Sequence, residues 1–170
     1  MTPTDVEVFF DKGDIIVSKT DLKGRITYAN QTFCQIAGYS EAELMGQPHS
    51  IIRHPDMPRA VFKLLWDTLF EGREIFAYVK NMARSGAYYW VFAHVTPSFD
   101  QDKKIIGFHS SRRVPDRKIV ETQIIPVYAA VLKEERKHRN GQAALAASFK
   151  LVADVLQSKN MGYDEFIFSL

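Results

Sequence analysis

The sequence predicts an α+β fold with an antiparallel sheet. Two strand-like stretches come first, short helical stretches follow, and three more strand-like stretches then occur in succession, an order typical of α+β domains. Alternating apolar residues indicate the strands, and apolar residues at i, i+3, i+4 and i+7 indicate the helices. The 170 residues suffice for one domain with its own hydrophobic core and an appendage.

Three segments are expected along the chain: a leader over residues 1–14, the α+β domain over 15–114 and a helical segment over 115–170. The last boundary is placed where strand-like alternation gives way to helical periodicity. The apolar residues of the leader are expected to form one turn of helix that packs on the domain. They are Val6, Val8, Phe9 and Phe10.

The domain begins with a predicted β-hairpin. Residues 15–20 form its first strand, residues 25–29 form the returning strand, and the turn between them ends at Gly24. Because side chains alternate along a strand, Ile26 and Tyr28 are expected on the same face.

Three helices are predicted after the hairpin. Asn30 can cap the first helix by accepting a hydrogen bond from a first-turn N–H, and Gly38 can end it. Ser40 and Glu43 have the spacing of a capping box for the second helix. Pro58 can occupy the first turn of the third. Apolar residues of the third helix fall on one face, which we expect to be buried: Phe62, Leu65, Trp66 and Leu69.

Three strands follow, at about residues 75–82, 87–97 and 104–113. In the first of them, the odd-numbered residues from Ile75 to Asn81 share one face, and the even-numbered residues share the other.

The C-terminal segment is predicted to be helical. Residues 117–139 carry a broad apolar stripe, which Pro126 should kink or divide because proline has no N–H. A second helix is predicted at about 142–159. Its apolar residues form a narrow heptad seam of Leu145, Phe149, Val152 and Leu156. The apolar end, residues 163–170, must be buried on this domain, on a second copy or on a partner.

Composition argues against several classes of protein. The formal net charge is only +2, so nothing favours binding to nucleic acid or to a membrane surface. No apolar run is long enough to cross a bilayer and no signal peptide is evident, from which we expect a cytoplasmic protein. Cys34 is the only cysteine, so no intrachain disulfide or cysteine-based zinc site can form. No catalytic motif is evident, and we expect no enzymatic activity.

The segment richest in chemistry is Arg53-His54-Pro55-Asp56-Met57-Pro58. Its prolines restrict the backbone and disfavour a long helix or a central strand. The guanidinium group can bind phosphate or carboxylate, and the imidazole and carboxylate groups can bind other polar parts of a ligand. The alternative is a proline-rich connector whose charges pair with each other.

This segment resembles the signature of the FAD-binding PAS domains of the bacterial aerotaxis and energy-taxis receptor family. The resemblance extends from about Ile15 to about Tyr128 and implies a PAS fold, in which a five-stranded antiparallel sheet is flanked by short helices. It also implies that FAD binds non-covalently between the sheet and the short helices. Other stretches that agree are Thr20-Asp21-Leu22, Ile26-Thr27-Tyr28-Ala29-Asn30, Gly38-Tyr39, Gly46-Gln47-Pro48-His49, Val79-Lys80-Asn81 and Tyr89-Trp90-Val91.

By this resemblance, eight residues are expected to contact the cofactor or shape its pocket. They are Arg53, His54, Asp56, Asn30, Asn81, Trp66, Tyr89 and Trp90. Arg53 has the chemistry to bind the pyrophosphate, an asparagine amide can pair with the flavin pyrimidine edge, and the aromatic rings can stack on the flavin. Simpler roles stay open for two of them, a helix cap for Asn30 and core packing for Trp66.

The sequence departs from the family pattern at one position. The strand that carries Asn81 often begins with a tryptophan in this family, whereas Ile75 and Phe76 occur here. A stacking contact is therefore lost or replaced, which leaves the identity of the cofactor open. The flavin–cysteine adduct of light-sensing relatives is not expected, because residues 44–56 contain no cysteine.

The resemblance favours a non-catalytic redox or oxygen sensor that signals to a membrane-bound chemoreceptor-type partner. The C-terminal helices are the candidates for that contact and for a homodimer. Two other functions stay open. One is a haem-binding PAS gas sensor that uses His49 or His54. The other is a cofactor-free PAS adaptor whose pocket is filled by its own side chains.

Overall fold

The computed structural model describes residues 2–170, which divide into two compact units. Unit 1 contains the chain up to His54 together with Thr68–Pro115, and unit 2 contains Pro55–Asp67 and Asp116–Leu170. The chain therefore passes from unit 1 into unit 2 directly after the Arg53-His54 pair.

Unit 1 is built on a five-stranded antiparallel sheet, so the predicted α+β fold is confirmed. Its strands pair in the order β2-β1-β5-β4-β3, which brings the first and the last strands of the unit together at the centre. The strands are β1 Ile16–Thr20, β2 Ile26–Ala29, β3 Ile75–Met82, β4 Tyr88–Phe99 and β5 Ile105–Arg113.

Short helices connect the hairpin to the later strands, and the predicted end signals are confirmed. The short helices are α1 Gln31–Ala37, α2 Glu41–Leu44 and a 3₁₀ helix His49–Ile52. The Asn30 side chain caps α1, and Ser40 and Glu43 form the capping box of α2. Gly38 ends α1 with a φ of 73°, a left-handed conformation that glycine adopts without a Cβ clash.

The second strand does not alternate as predicted. Ile26 is 1% exposed, whereas Tyr28 is 42% exposed. The cause is a bulge: Lys19 lies opposite Tyr28 and Thr20 lies opposite Ile26, so Thr27 is an extra residue. The prediction that Ile26 and Tyr28 share a face is therefore wrong.

The leader is extended, and the predicted turn of helix is wrong. Glu7 forms a parallel bridge with Tyr88. The Val8 N–H donates to the Tyr88 carbonyl at 2.7 Å, and the Tyr88 N–H donates to the Val6 carbonyl at 2.9 Å. Pairing with the open edge at the start of β4 satisfies backbone groups that an isolated helical turn would leave unpaired.

Unit 2 is helical. Its elements are the greater part of α3 Arg59–Phe70, then α4 Arg117–Ile119, a π-helical turn Val120–Ile124, α5 Ile125–Arg136, α6 Gly141–Ser158 and α7 Tyr163–Ser169. Pro126 lies in the first turn of α5, directly after the π-helical turn. Because proline has no N–H to donate, the regular α-helical pattern is interrupted by the π-helical turn, although the backbone stays helical from Arg117 to Arg136.

The buried side of α3 is rotated from the predicted one. Val61, Leu65 and Leu69 are buried, whereas Phe62 and Trp66 are half-buried. The reason lies within unit 2, where the first turns of α3 face α5, α6 and α7 across an apolar cavity of about 130 Å³. Side chains that line it include Val61, Leu64, Tyr128, Val131, Val152, Leu156 and Ile167.

The apolar end of the chain forms α7. Its Ile167 is buried and lines the cavity of unit 2, whereas Phe168 is 63% exposed. The tail thus buries one side on its own unit and leaves an aromatic side chain at the surface. Within residues 2–170, no helix is long and apolar enough to cross a membrane.

Candidate functional site

A charged side chain lies in the core of unit 1. Arg112 on β5 is 2% exposed. It lies opposite Ile16 of the central strand β1, and Ser110 lies opposite Ser18. The Arg112 Nη2 donates to Ser18 Oγ at 2.6 Å, so a polar cluster begins at the β1–β5 pair.

The 3₁₀ helix places His49 against this pair of residues. Its Nε2 lies 3.0 Å from Ser18 Oγ and 3.4 Å from Arg112 Nη1. A guanidinium group can only donate hydrogen bonds, so we assign Nε2 as the acceptor and place the imidazole proton on Nδ1. The Ser18 hydroxyl then accepts from Arg112 and donates to His49.

Helix α1 contributes an aromatic wall. The guanidinium carbon of Arg112 lies 4.5 Å from the centroid of the buried Phe33 ring, a distance that suits a cation–π contact. The Phe33 ring also stacks on His49, with 6.0 Å between ring centroids and 25° between planes.

Asn30 fixes the position of this wall. Its Oδ1 accepts from the N–H groups of Phe33 and Val17, both at 3.0 Å, and its Nδ2 donates to the Ile15 carbonyl at 2.8 Å. Asn30 therefore caps α1 and links that helix to β1. Its role toward a cofactor stays a prediction.

The cluster is positively charged and lacks an acid. Among the residues that the structure describes, no carboxylate pairs with Arg112. Burial lowers the pKa of Arg112 to about 10, so the guanidinium stays charged at neutral pH. Burial, followed by the charges of Arg112 and Arg53, lowers the pKa of His49 to about 3, so that ring is neutral. A buried charge without a partner of opposite charge costs several kcal/mol.

Two buried donor atoms of this region have no hydrogen-bond acceptor within the described part of the chain. They are Nε of Arg112 and the hydroxyl oxygen of Tyr89. Burial raises the pKa of Tyr89, so its hydroxyl keeps its proton and can donate. Because buried polar groups in folded proteins are nearly always paired, these donors are suited to the acceptors of a ligand.

Part of the predicted signature lies beside this cluster. Arg53 follows the 3₁₀ helix and forms a backbone bridge with Asn81 of β3. Asn81 is buried and lies opposite Tyr89 of β4. His54 is also buried, and its ring meets the edge of Tyr88 with 6.1 Å between centroids. The structure thus brings Arg53, Asn81 and Tyr89 together. His54 instead meets Tyr88, which precedes Tyr89 and points to the opposite face of the sheet.

The other predicted residues lie elsewhere. Trp90 follows Tyr89 on β4 and lies opposite Lys80, so it points to the other face of the sheet. Asp56 and Trp66 belong to unit 2. The half-exposed carboxylate of Asp56 lies 3.9 Å from Nη2 of Arg136. Roles of these three residues toward a cofactor stay predictions.

The position that holds a tryptophan in the family has no aromatic replacement. Ile75 is buried on the same face as Asn81. The neighbouring Phe76 points to the opposite face, where it stacks on His94 at 4.2 Å and on Phe92 at 5.8 Å between ring centroids. Of the two expected outcomes, the structure favours a lost stacking contact.

Arg112 and Ser18 were not among the residues predicted from sequence, and His49 was considered only as a haem ligand. A sequence signal for Arg112 does exist. Phe108, Ser110 and Arg112 alternate along a predicted strand, so a strand face that contains a large apolar residue also contains an arginine.

Neither a reactive thiol nor a metal centre is evident. Cys34 is half-buried on α1, and burial raises the pKa of its thiol above the ordinary value, which keeps it protonated. Over residues 2–170, no group of three or more histidine, cysteine, aspartate or glutamate side chains is placed to hold a metal ion.

Comparison with known proteins agrees with this architecture. The family described as "PAS fold" matches residues 26–112, just over half of the chain. The chain therefore belongs to the PAS fold family. It resembles the dark structure of the blue-light photoreceptor Aureochrome1 LOV with a TM-score of 0.58 and 19% identity, over 68% of this chain and 86% of that one.

Two relatives extend the comparison at the level of sequence. The chain is 44% identical over 117 residues to the aerotaxis receptor of Escherichia coli strain K12. The matched stretch covers 68% of this chain and 22% of the receptor. It is 33% identical over 103 residues to a nitrogen fixation regulatory protein of Klebsiella pneumoniae. This match covers 61% of this chain and 21% of that protein. The chain thus spans about a fifth of the length of these relatives.

Proposed function

We propose that this chain is a non-catalytic PAS sensor that binds FAD non-covalently and reports redox state or oxygen in aerotaxis or energy taxis. The resemblance to an aerotaxis receptor supports this assignment. The observation that carries it is the buried positive charge of Arg112, which has no carboxylate partner among residues 2–170.

The residues of the cluster fit a flavin. The pyrimidine edge of the ring carries carbonyl oxygens, and the cluster offers the Arg112 Nε–H and the Tyr89 hydroxyl as unused buried donors. The buried amide of Asn81 lies on the same sheet face as Tyr89 and can both donate and accept. A bound flavin would supply reversible one- and two-electron chemistry.

The signature residues complete the proposed site. Arg53 is half-buried, and its planar guanidinium suits the pyrophosphate of FAD. His54 is buried, and its role toward the cofactor is the one that the resemblance implies. Asn30 supports the site through its hydrogen bond to the Phe33 N–H. Asp56, Trp66 and Trp90 keep the cofactor role that the resemblance implies for them.

Connectivity suggests how the signal leaves the site. The backbone bridge between Arg53 and Asn81 joins the signature to the strand that faces the proposed ring. Two residues after Arg53, the chain enters unit 2 at Pro55 and continues into α3. A change of charge on the ring would alter the hydrogen bonds of the Asn81 side chain. Through the backbone bridge to Arg53, this change would shift the balance between two conformations of the segment where unit 2 begins.

The proposed partner is a membrane-bound chemoreceptor-type protein, contacted by a cytoplasmic homodimer through unit 2. Support comes from apolar side chains that unit 2 leaves exposed: Ile125, Met161 and Phe168. Exposed apolar groups of this kind are suited to protein contacts.

The function is tested by releasing any pigment from the purified protein with acid and identifying it by chromatography. We expect FAD in wild type and a severalfold loss of bound FAD in Asn81→Ala and Arg53→Ala. The matched control is Arg113→Ala, which removes an exposed arginine from the same sheet.

Other results would favour the alternatives. Haem in the extract, with loss on substitution of His54 or His49 and tolerance of Asn81→Ala, would replace the flavin proposal by the gas sensor. No pigment, even after incubation with FAD and with haem, would favour the adaptor.

A further inference from the structure

We propose that Arg112, with Tyr89, binds the carbonyl-rich edge of the flavin ring, and that the charge of Arg112 makes the site prefer the reduced, anionic ring over the oxidised, neutral one. This inference rests on the flavin site proposed above and assigns a function to a residue outside the aerotaxis signature.

The first step is the geometry of the guanidinium. Its Nη2 donates to Ser18 at 2.6 Å, its Nη1 lies 3.4 Å from His49 Nε2, and Phe33 covers one of its faces at 4.5 Å. Three neighbours therefore hold the group in one orientation. Its Nε–H is a buried donor for which the described residues supply no acceptor.

The second step is the set of charged and titratable groups around Arg112. His49 and Tyr89 are both neutral at pH 7, because burial lowers the pKa of the first and raises that of the second. Arg53 adds a second positive charge close enough to lower the pKa of His49. No carboxylate in the described chain pairs with Arg112, so an added negative charge on a ligand would be attracted and not repelled.

The third step is the chemistry of the ligand. Reduction adds two electrons and one proton to the oxidised ring, both taken from an external reductant and solvent, and leaves one negative charge on the pyrimidine side. A fixed cation at that edge interacts more strongly with the reduced ring than with the neutral one. The charge of Arg112 therefore raises the midpoint potential of the bound flavin.

The test compares the midpoint potential of the FAD-bound protein with that of two variants at neighbouring positions of β5. Arg112→Met removes the buried charge, and Arg113→Met removes an exposed charge one residue further along. We expect Arg112→Met to lower the preference for the reduced ring at least about tenfold, which is about 30 mV for a two-electron couple. The potential of Arg113→Met should equal that of wild type.

Two further variants separate charge from hydrogen bonding. Arg112→Lys keeps a charge but loses the planar donor, so its potential should lie closer to wild type than that of Arg112→Met. Tyr89→Phe removes a neutral donor and should weaken FAD binding severalfold in both redox states, with a smaller effect on the potential.

A second test measures the urea unfolding of the flavin-free protein. If Arg112 is present for a ligand and not for the fold, flavin-free Arg112→Met should unfold at a urea concentration equal to or higher than that of wild type. Lower stability than Arg113→Met would assign Arg112 a structural role and overturn the inference.

The failures of the two proposals are distinguishable. An Arg112→Met protein that binds FAD with an unchanged potential overturns the role of Arg112 and leaves the FAD sensor standing. A wild-type protein that takes up no flavin overturns both.

Discussion

At the residue scale, the core of unit 1 contains a charge that packing alone does not require. Arg112 bonds to the neutral groups of Ser18 and His49 and stacks on Phe33. A large apolar side chain could fill the same space without the cost of dehydrating a cation. This cost is the reason for proposing a ligand that is electron-rich on the side facing the arginine.

His49 should make the protein less stable in acid. Its pKa is about 3 in the folded chain and 6.5 in the unfolded chain. Between these values only the unfolded chain binds the proton, so stability falls as pH falls, by up to about 1.4 kcal/mol per pH unit. Urea unfolding of wild type and His49→Gln at about pH 4 and about pH 6.5, between these two pKa values, should show a smaller change in the free energy of unfolding with pH in the variant.

The matched control is His94→Gln, on the opposite face of the sheet and partly exposed. A smaller slope in His49→Gln than in His94→Gln would assign the pH dependence to the cluster around Arg112. If the free energy of unfolding changes equally with pH in wild type and in His49→Gln, His49 takes up a proton in the folded chain. The cluster would then be more accessible to water than its burial indicates.

At the scale of the elements, the β1–β5 pairing depends on a close backbone approach. A Cβ added to Gly107 would lie 2.4 Å from the Thr20 carbonyl oxygen. Gly107→Ala must therefore shift β5 or the end of β1, at a cost of about 1–3 kcal/mol. Thermal unfolding should show this loss for Gly107→Ala and almost none for Gly13→Ala, where no atom lies within 4 Å of the added Cβ. Equal effects of the two substitutions would contradict this close approach of Gly107 to Thr20.

A buried carboxylate joins three helices of unit 2. Glu135 Oε1 accepts from the Ala60 N–H at the start of α3, at 3.2 Å, and from Ser148 Oγ of α6, at 3.0 Å. Glu135→Ala would leave both donors buried without this acceptor, which costs about 1–3 kcal/mol. We expect urea unfolding followed by circular dichroism to show this loss.

Glu134→Ala is the control for this substitution. Glu134 is half-buried and its Oε2 lies 2.6 Å from Nζ of the exposed Lys137; a pair at the surface of this kind contributes about 1 kcal/mol or less. If Glu134→Ala destabilises the protein as much as Glu135→Ala does, the buried link between α3, α5 and α6 is not the stabilising one.

Features set by a few neighbouring residues could be predicted from the sequence. The Asn30 cap, the capping box of Ser40 and Glu43 and the five strands all depend on local spacing, and all are confirmed. The side of Tyr28 could not be predicted, because a bulge depends on how the partner strand pairs. The extended leader likewise depends on an edge that β4 provides.

The candidate site shows the same division. The Arg53-His54 signature could be found from its local pattern. The cluster around Arg112 could not, because its Ser18 and His49 contacts span 94 and 63 residues of the chain. The only local sequence pattern that points to such long-range contacts is the alternation of residues along β5.

At the scale of the whole molecule, the chain order links the proposed site to unit 2. The segment that follows His54 belongs with the C-terminal helices and not with the sheet. A ligand-dependent change at Arg53 would thus reach the start of unit 2 within a few residues.

The exposed aromatic side chain of α7 gives a test of assembly. Phe168 is 63% exposed and Phe9 of the leader is 74% exposed. If unit 2 forms the proposed homodimer, Phe168→Ser should raise the dimer dissociation constant about tenfold or more, because it removes a large apolar side chain from the contact. Light scattering over a concentration series should show this change for Phe168→Ser and not for Phe9→Ser. A monomeric wild type, or equal effects of the two variants, would contradict a dimer through α7.

The most direct test of the whole account is the absorption spectrum of the purified protein before and after addition of dithionite. The account predicts the two-banded yellow spectrum of an oxidised flavin, which bleaches on reduction and returns in air. A Soret band, or a protein that stays colourless after incubation with FAD, would contradict the flavin site at Arg112.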